Sequence, residues 1–327
     1  MKINLQPIIS PSLPMTALFY MVFLGVWMGF YWLYDFPFTM HGYIGIFAES
    51  YLPSKSLVAN LATFAIVVLN SMIIAQMNNR FAIIRTRTFV PTFIYLLLSA
   101  CWLPAYGNYV AALGAMFALI ALYFSMGMYK DKKSTEQAFL SFFFLALSSF
   151  LVSEFVVLTV VFWVGFAFLN SFSGKVFFAS VFGFATPWIL FFASIILIFG
   201  HTDILPEVQE FVMSYSILDY RSIPTFVYVG VMLFVLITSL VQITANDRQD
   251  SIQTRNILNF FKILIFTMIL LVMFRYSGFA SYMPFAALLF AILSSYIFTL
   301  IKNLFNSIVF IVLCVVNFAF AFYLLII

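Results

Sequence analysis

The sequence predicts an all-α membrane protein, a polytopic bundle of about eleven transmembrane helices in a single domain, 1–327. The 327 residues are 65% hydrophobic and only 8% charged, whereas soluble chains carry about 25% charged residues. The apolar residues form long continuous runs, and a helix needs about 20 of them to cross the hydrocarbon core. Loops rich in Lys and Arg also alternate along the chain with loops that contain few of them. Together these observations exclude a soluble enzyme.

The apolar runs define the predicted spans in order along the chain. Helices are expected because each satisfies its own backbone hydrogen bonds inside a bilayer. The runs are continuously apolar, unlike the alternating pattern of barrel strands. The predicted spans cover residues 14–34, 57–77, 88–104, 107–127, 138–153, 155–172, 176–199, 224–243, 261–275, 278–300 and 303–326.

Two apolar stretches are longer than one span. The stretch 88–127 is interrupted at 104–108 by a proline and a glycine, which favour a tight hairpin. The stretch 138–172 is interrupted only by Ser153 and Glu154. Two short spans with Glu154 at the tip and a re-entrant pair are both open here. The charge pattern favours the hairpin, because the lysines before and after the stretch must share one side of the membrane.

Lysine and arginine predict the orientation, because cytoplasmic loops carry an excess of both. With the N-terminus inside and the C-terminus outside, twelve of the fifteen basic residues are cytoplasmic. The three outside are Lys55, Arg221 and Arg275. We therefore expect a multi-pass protein of a bacterial inner membrane, with membrane lipids as partners. The basic balance comes from these loops, so no nucleic-acid partner is expected.

The two longest outer loops, 35–56 and 200–223, hold most of the acidic residues and both histidines. Counting Glu154, seven of the eleven acidic residues are predicted to lie outside. Insertion does not explain this, because Asp and Glu contribute little to topology. The segments 43–52 and 208–218 repeat apolar residues at helical spacing, which predicts short helices in the headgroup region. The pattern indicates that polar chemistry takes place at the outer face.

Asp35 is the first candidate catalytic residue. It follows the run YWLY, residues 31–34, at the outer end of the first span, where aromatic residues mark the membrane interface. A carboxylate at that depth can act as a general base on an acceptor hydroxyl, or help to hold a divalent cation on a lipid phosphate. The alternative is a solvated aspartate at the start of a loop.

Glu154 is the second candidate, since it lies between two strongly apolar triplets. An ionisable group near membrane depth is costly unless it faces a cavity or a partner, which makes it a functional hypothesis by default. The alternative is a hairpin tip that simply reaches water.

Five outer residues are candidates for binding a substrate. Arg275, followed by Tyr276, is an isolated cation at the outer end of a span, and a guanidinium can bind phosphate through two parallel hydrogen bonds. His41, His201 and Arg221 could add acid–base groups in the long outer loops. The alternatives are an arginine that reaches lipid headgroups and ordinary loop residues. The sequence has no metal-binding motif, so no metal site is predicted.

This layout resembles the integral-membrane glycosyltransferases of the GT-C type: a cytoplasmic start, a first span ending in an acidic residue, a long first outer loop and about eleven spans. The resemblance implies a polyprenyl-phosphate-linked sugar as substrate at the outer face. It also implies a catalytic carboxylate in the first outer loop, which corresponds to Asp35, with Glu49 as second choice. The paired acidic signature of the family is absent, because Phe36 follows Asp35. The chain is also similar to bacterial polytopic inner-membrane proteins without an assigned function.

Three functions follow from these observations. The first is transfer or polymerisation of lipid-linked sugars in the cell envelope, with Asp35 as base and Arg275 on the donor phosphate. The second is a transporter or flippase for a lipid or hydrophobic solute, with a polar cavity and discontinuous helices near Glu154, Pro187 and Pro284. The third is a non-enzymatic subunit of a membrane or envelope assembly, bound to protein partners through a flat lateral face.

Overall fold

The structure is a computed structural model, and it describes residues 13–33, 52–53, 55–199, 223–274, 279–300 and 304–326. These ranges contain α-helices, three short 3-10 helices and no strand, so the predicted all-α class is confirmed for them. The α-helices are α1 (Leu13–Leu33), α2 (Leu57–Phe81), α3 (Val90–Cys101), α4 (Tyr109–Gly127), α5 (Thr135–Leu151), α6 (Leu158–Phe168), α7 (Gly174–Phe199), α8 (Ile223–Ala245), α9 (Ile252–Phe274), α10 (Phe279–Leu300) and α11 (Leu304–Ile326).

Eight of these helices are long and apolar enough to cross a membrane, as expected of a multi-pass membrane protein. They are α1, α2, α4 and α7 to α11. The other three, α3, α5 and α6, are apolar but have only 12, 17 and 11 residues. The predicted interfacial segments 43–52 and 208–218 lie almost entirely outside the described residues.

The predicted bounds differ from the structure most at α9. This helix begins at Ile252, whereas the apolar run predicts a start at residue 261. Polar residues before 261, Arg255 among them, end the apolar run, but a polar turn still satisfies its backbone by helical hydrogen bonds. The start is stabilised by Ser251, whose hydroxyl accepts a hydrogen bond from the backbone N–H of Thr254 at 3.1 Å.

Several loops that are distant in sequence meet at one end of the bundle. The α2–α3 loop contacts the α8–α9 loop through an ion pair between Arg85 and Asp250. The backbone N–H of Lys130, in the α4–α5 loop, donates to the carbonyl of Leu169, after α6, at 3.0 Å. The last turns of α2 and α4 also meet. We call this end the basic end; its described loops are 82–89, 128–134, 169–173 and 246–251.

The basic end holds ten of the eleven described Lys and Arg residues, if α9 is counted to its third turn. These ten are Arg80, Arg85, Arg87, Lys130, Lys132, Lys133, Lys175, Arg248, Arg255 and Lys262. The remaining one, Lys55, precedes α2 at the other end.

The remaining described loops meet at the other end, which we call the opposite end. Trp27, near the end of α1, stacks on Tyr106 of the α3–α4 loop with ring centroids 3.9 Å apart. Tyr282, in the first turn of α10, contacts Glu154 between α5 and α6. Each described loop joins two consecutive helices at one of the two ends, and α10 starts at the end where α5 finishes. Consecutive described helices therefore run in alternating directions.

Helix α10 is the central element of the bundle. It packs against α3, α4, α8, α9 and α11, and 89% of the residues in its most apolar stretch are buried inside the protein. By contrast, the corresponding share is 22% for α7 and 28% for α8, because one side of each of these helices faces outward. Helix α10 is therefore the main interior surface against which the other helices pack.

Glycines allow the closest helix contacts around the short helices. A Cβ atom at Gly165 in α6 would lie 2.4 Å from the buried ring of Phe260 in α9. At Gly183 in α7 it would lie 2.3 Å from the backbone oxygen of Phe139 in α5. These distances are far below van der Waals contact. The pairs α6–α9 and α5–α7 therefore pack at separations that only a glycine allows, at Gly165 and Gly183 respectively.

Candidate functional site

Glu154 is the one predicted site residue that lies within the described ranges. It is at the opposite end of the bundle, between α5 and α6. The remaining predicted residues lie outside the described part of the chain: Asp35, Glu49, His41, His201, Arg221, Arg275 and Tyr276.

The chain around Glu154 leaves the α-helical conformation because α5 ends at Leu151. Val152 is extended, with φ −131° and ψ 95°, and a 3-10 helix, Ser153–Val157, leads into α6. Phe155, next in the chain, is fully buried and contacts Phe285 of α10, with ring centroids 5.4 Å apart. This anchor holds the turn against the central helix, so Glu154 stays half-buried at the rim instead of extending into solvent.

The Glu154 carboxylate accepts hydrogen bonds from two hydroxyl groups. Tyr282 of α10 donates to Oε1 at 3.2 Å, and the neighbouring Ser153 donates to Oε2 at 3.2 Å. Tyr282 is completely buried, so its hydroxyl is a fixed donor delivered by the central helix. The carboxylate is therefore oriented, and Glu154 is half-buried where the chain passes from α5 to α6.

An oriented carboxylate at such a rim can take a proton from a hydroxyl or stabilise a developing positive charge. The interhelical hydrogen bond from Tyr282 also supports the break in the helix, where backbone groups leave their helical partners. An ionisable group at membrane depth needs a role of this kind to offset its desolvation cost.

A second polar cluster, which the sequence did not predict, lies at the basic end. Arg85 donates through Nε to Asp250 Oδ1, and through Nη1 to Gln249 at 3.1 Å. Its Nη2 atom donates to the carbonyl of Asn246 and to Tyr296, both at 3.3 Å. One guanidinium therefore joins the α2–α3 loop, the α8–α9 loop and the last turns of α10.

Asp250 is the buried member of this cluster. Its side chain has no exposed surface, whereas that of Arg85 is 30% exposed. Tyr296 donates its hydroxyl to Asp250 Oδ2 at 2.7 Å, so both carboxylate oxygens are bonded. The hydrogen bond to Asp250 raises the pKa of the Arg85 guanidinium. An arginine side chain is always charged in proteins, so the pair is ionic.

The conformation of the α2–α3 loop brings Arg85 into position. Ala82 ends α2 in the left-handed conformation, with φ 48° and ψ 46°. The side chain of Asn78 then accepts from the backbone N–H of Ile84 at 2.8 Å and donates to the carbonyl of Thr86 at 3.2 Å. The cluster could be suspected from sequence because Asp250 is a carboxylate in a basic loop. Its burial depends on α10, which no local pattern indicates.

No three His, Cys, Asp or Glu side chains come together in the ranges that the structure covers. The divalent cation expected at Asp35 remains a prediction, because Asp35 lies outside those ranges.

Comparison with known proteins adds no family to this description. The chain matches no family model, no curated protein and no solved structure. The class that the described residues define is an all-α fold in which eight helices are long and apolar enough to cross a membrane, and any function has to be argued from its own side chains.

Proposed function

We propose that the chain crosses a bacterial inner membrane eleven times, with its N-terminus in the cytoplasm and its C-terminus outside. The alternating directions of the described helices support eleven crossings. The concentration of Lys and Arg at the basic end supports a cytoplasmic location for that end. The short helices gain length from the 3-10 helices beside them: at about 1.5 and 2.0 Å per residue, α3 with Leu103–Ala105 extends about 24 Å and α6 with Ser153–Val157 about 27 Å. These lengths approach the ~30 Å hydrocarbon core.

We further propose that the protein transfers or polymerises lipid-linked sugars at the outer face of that membrane. One observation carries this proposal: the half-buried Glu154 carboxylate, oriented by the buried Tyr282 at the end opposite the basic loops. In the proposed topology this end is extracytoplasmic. Polyprenyl-linked sugars would be presented there at headgroup depth, beside a carboxylate of the kind that acts as a general base.

In the proposed reaction, a carboxylate takes the proton of an acceptor hydroxyl as its oxygen attacks the anomeric carbon of the donor. The bond from that carbon to the lipid phosphate breaks, and its electron pair leaves with the phosphate. Glu154 is one candidate for the base, and Asp35 is the candidate implied by the GT-C resemblance, followed by Glu49. Arg275 and Arg221 would bind the leaving phosphate, because a guanidinium matches phosphate oxygens with two hydrogen bonds.

A deletion strain complemented with variants tests this proposal. Glu154→Gln and Asp35→Asn keep the size of each side chain and remove its charge. We expect a lipid-linked precursor to accumulate in the deletion strain and with whichever variant removes the base, at normal protein level. Glu136→Gln is the matched control, since Glu136 is an exposed carboxylate near the start of α5 at the basic end. Unchanged glycans and lipid intermediates in the deletion strain would rule out the enzyme.

A transporter or flippase is the second candidate, and the central helix favours it. Helix α10 contains Pro284, and the path from α5 to α6 is broken at the 3-10 turn. Interrupted helices at a buried polar group are typical of transport proteins. This reading predicts that deletion traps a lipid substrate in the inner leaflet without changing the sugar linkages already formed. If deletion changes neither linkages nor leaflet distribution, a subunit of an envelope assembly becomes the better proposal.

A further inference from the structure

We infer that the interior of the bundle holds a bound water molecule, at a site formed by α2, α3, α4 and α10. A small cavity lies there, lined on its polar side by Thr63, Ser99 and Trp102 and elsewhere by apolar residues that include Pro284. The cavity lies beside the turn after α3 and is separate from Glu154 and from the Arg85 cluster. The site does not depend on the proposed reaction.

The first observation is an unpartnered donor. Trp102 is 7% exposed, and its indole Nε1 is buried without a hydrogen-bond partner among the described residues. Trp27, which is also buried, shows the usual arrangement, because its Nε1 donates to Asn60 Oδ1 at 2.9 Å. A buried N–H group without a partner costs about 1–3 kcal/mol, so a partner for Trp102 is expected in the cavity that it lines.

The second observation is the size and chemistry of the cavity. The space open to the centre of a water molecule is about 10 Å³, close to the ~10–15 Å³ that holds a single water. A buried water needs two to four polar partners. Thr63, Ser99 and Trp102 all line the cavity, so we infer that the water accepts from Trp102 Nε1 and donates to the hydroxyl oxygens of Thr63 and Ser99. The space is too small for a lipid chain or a sugar.

The third observation is that polar groups continue on both sides of the cavity. Along α2, Asn60, Thr63 and Asn70 recur at intervals of three and seven residues, which places them on one helix face. Asn60 Nδ2 and Asn70 Oδ1 are also buried without partners in the described part of the chain. Asn70 Nδ2 donates to the hydroxyl of Tyr95 at 3.3 Å. The water site is thus the centre of a polar seam between α2 and α3.

One alternative would leave the cavity dry. The ring of Phe279 lies edge-to-face with that of Trp102, with centroids 5.2 Å apart and planes at 83°. If the indole N–H points at that ring, the contact supplies a weak partner of its own. The experiment therefore has to detect the water and not merely the stability of the site.

Hydroxyl-radical labelling makes this distinction, because radicals generated by X-rays from a bound water modify the side chains that the water touches. The full-length protein in detergent is irradiated and its tryptophans are quantified by mass spectrometry. We expect Trp102 to be labelled several-fold faster than Trp27, although both are buried. We also expect a Thr63→Val/Ser99→Ala double variant to remove most of this excess, because the water loses two partners.

Two results would overturn the inference. Labelling of Trp102 as slow as that of Trp27 in the wild type would mean a dry cavity with the N–H on the Phe279 ring. Rapid labelling that the double variant leaves unchanged would mean that bulk solvent reaches Trp102, without a bound water. If the double variant does not fold, Thr63→Val alone provides the comparison, and the wild-type ratio of the two tryptophans still decides.

Discussion

Helix α10 carries a tyrosine near each end, and each tyrosine donates a hydrogen bond to a carboxylate from another part of the chain. At the basic end the bond from Tyr296 to Asp250 is 2.7 Å long, and at the opposite end the bond from Tyr282 to Glu154 is 3.2 Å long. The two tyrosines are fourteen residues apart, which is about 21 Å along a helix. One buried helix therefore connects two superficially similar polar sites.

The two sites differ in what surrounds the carboxylate. The Asp250 side chain has no exposed surface, and Arg85 neutralises it. Glu154 is half-buried, and its two described donors are neutral hydroxyl groups. A buried and fully bonded ion pair is costly to break but has no free side for a ligand. The basic end therefore holds the loops to α10, whereas Glu154 at the opposite end is the carboxylate on which the proposed function rests.

Arg85→Ala should have the largest effect on stability. It leaves the Asp250 charge buried without its cation, a change that typically costs about 3–5 kcal/mol. Because the Arg85 side chain is 30% exposed, we expect a loss near the lower end of that range. Chemical unfolding in detergent measures this loss. Arg87→Ala, at an exposed arginine in the same loop, is the control. If the two variants are equally stable, the ion pair does not hold the basic end together.

The double variant Arg85→Ala/Asp250→Ala sharpens the same comparison. Removing both charges avoids an unpaired buried carboxylate, so we expect it to be more stable than Arg85→Ala alone. The coupling energy from the double-mutant cycle reports the pair itself. A strictly additive result would place the two residues in separate roles.

Gly183→Ala should have the next largest effect, and it concerns the packing of α5, the helix that leads to the opposite end. The added methyl group would lie 2.3 Å from the Phe139 backbone oxygen, and such overpacking costs about 1–3 kcal/mol. Because α5 leads directly to Glu154, we also expect the proposed activity to fall. Gly230→Ala is the control, since nothing lies within 4 Å of a Cβ atom there. Equal unfolding midpoints for the two variants would contradict the close α5–α7 contact.

Tyr296→Phe and Tyr282→Phe compare the two ends directly. Loss of the Tyr296 hydroxyl deprives a buried carboxylate oxygen of its donor and should cost about 1–3 kcal/mol. Loss of the Tyr282 hydroxyl from a half-buried carboxylate should cost less, about 0.5–1.5 kcal/mol. Parallel unfolding curves test the order. A larger loss for Tyr282→Phe would reverse the assignment of structural and functional ends.

Glu154→Gln should have the smallest effect on stability. The amide has the same size and keeps an oxygen that accepts from Tyr282, so we expect a loss at the lower end of that for one hydrogen bond, about 0.5 kcal/mol. Under the proposed function the variant nevertheless loses activity if Glu154 is the base. A variant that is both unstable and inactive would show instead that Glu154 serves the fold.

The sequence allowed the helical class and most helix positions to be predicted, because long apolar runs have few alternatives to helices in a bilayer. It also located the break at Ser153 and Glu154, where a carboxylate interrupts a run. The predicted start of α9, residue 261, is wrong by nine residues, because helix starts were placed where the apolar residues begin and the first turn of α9 is polar and contains Arg255. The expected residues of the outer loops, Asp35 among them, remain predictions.

The sequence by itself determined the set of helices and the alternation of loops rich and poor in Lys and Arg, since hydropathy and charge act locally along the chain. What only the tertiary structure decided is which polar groups meet. Asp250 and Arg85 are 165 residues apart in sequence, and Tyr282 and Glu154 are 128 residues apart. These contacts exist because α10 lies at the centre of the bundle, and the order of helices around a centre depends on side-chain packing between distant segments.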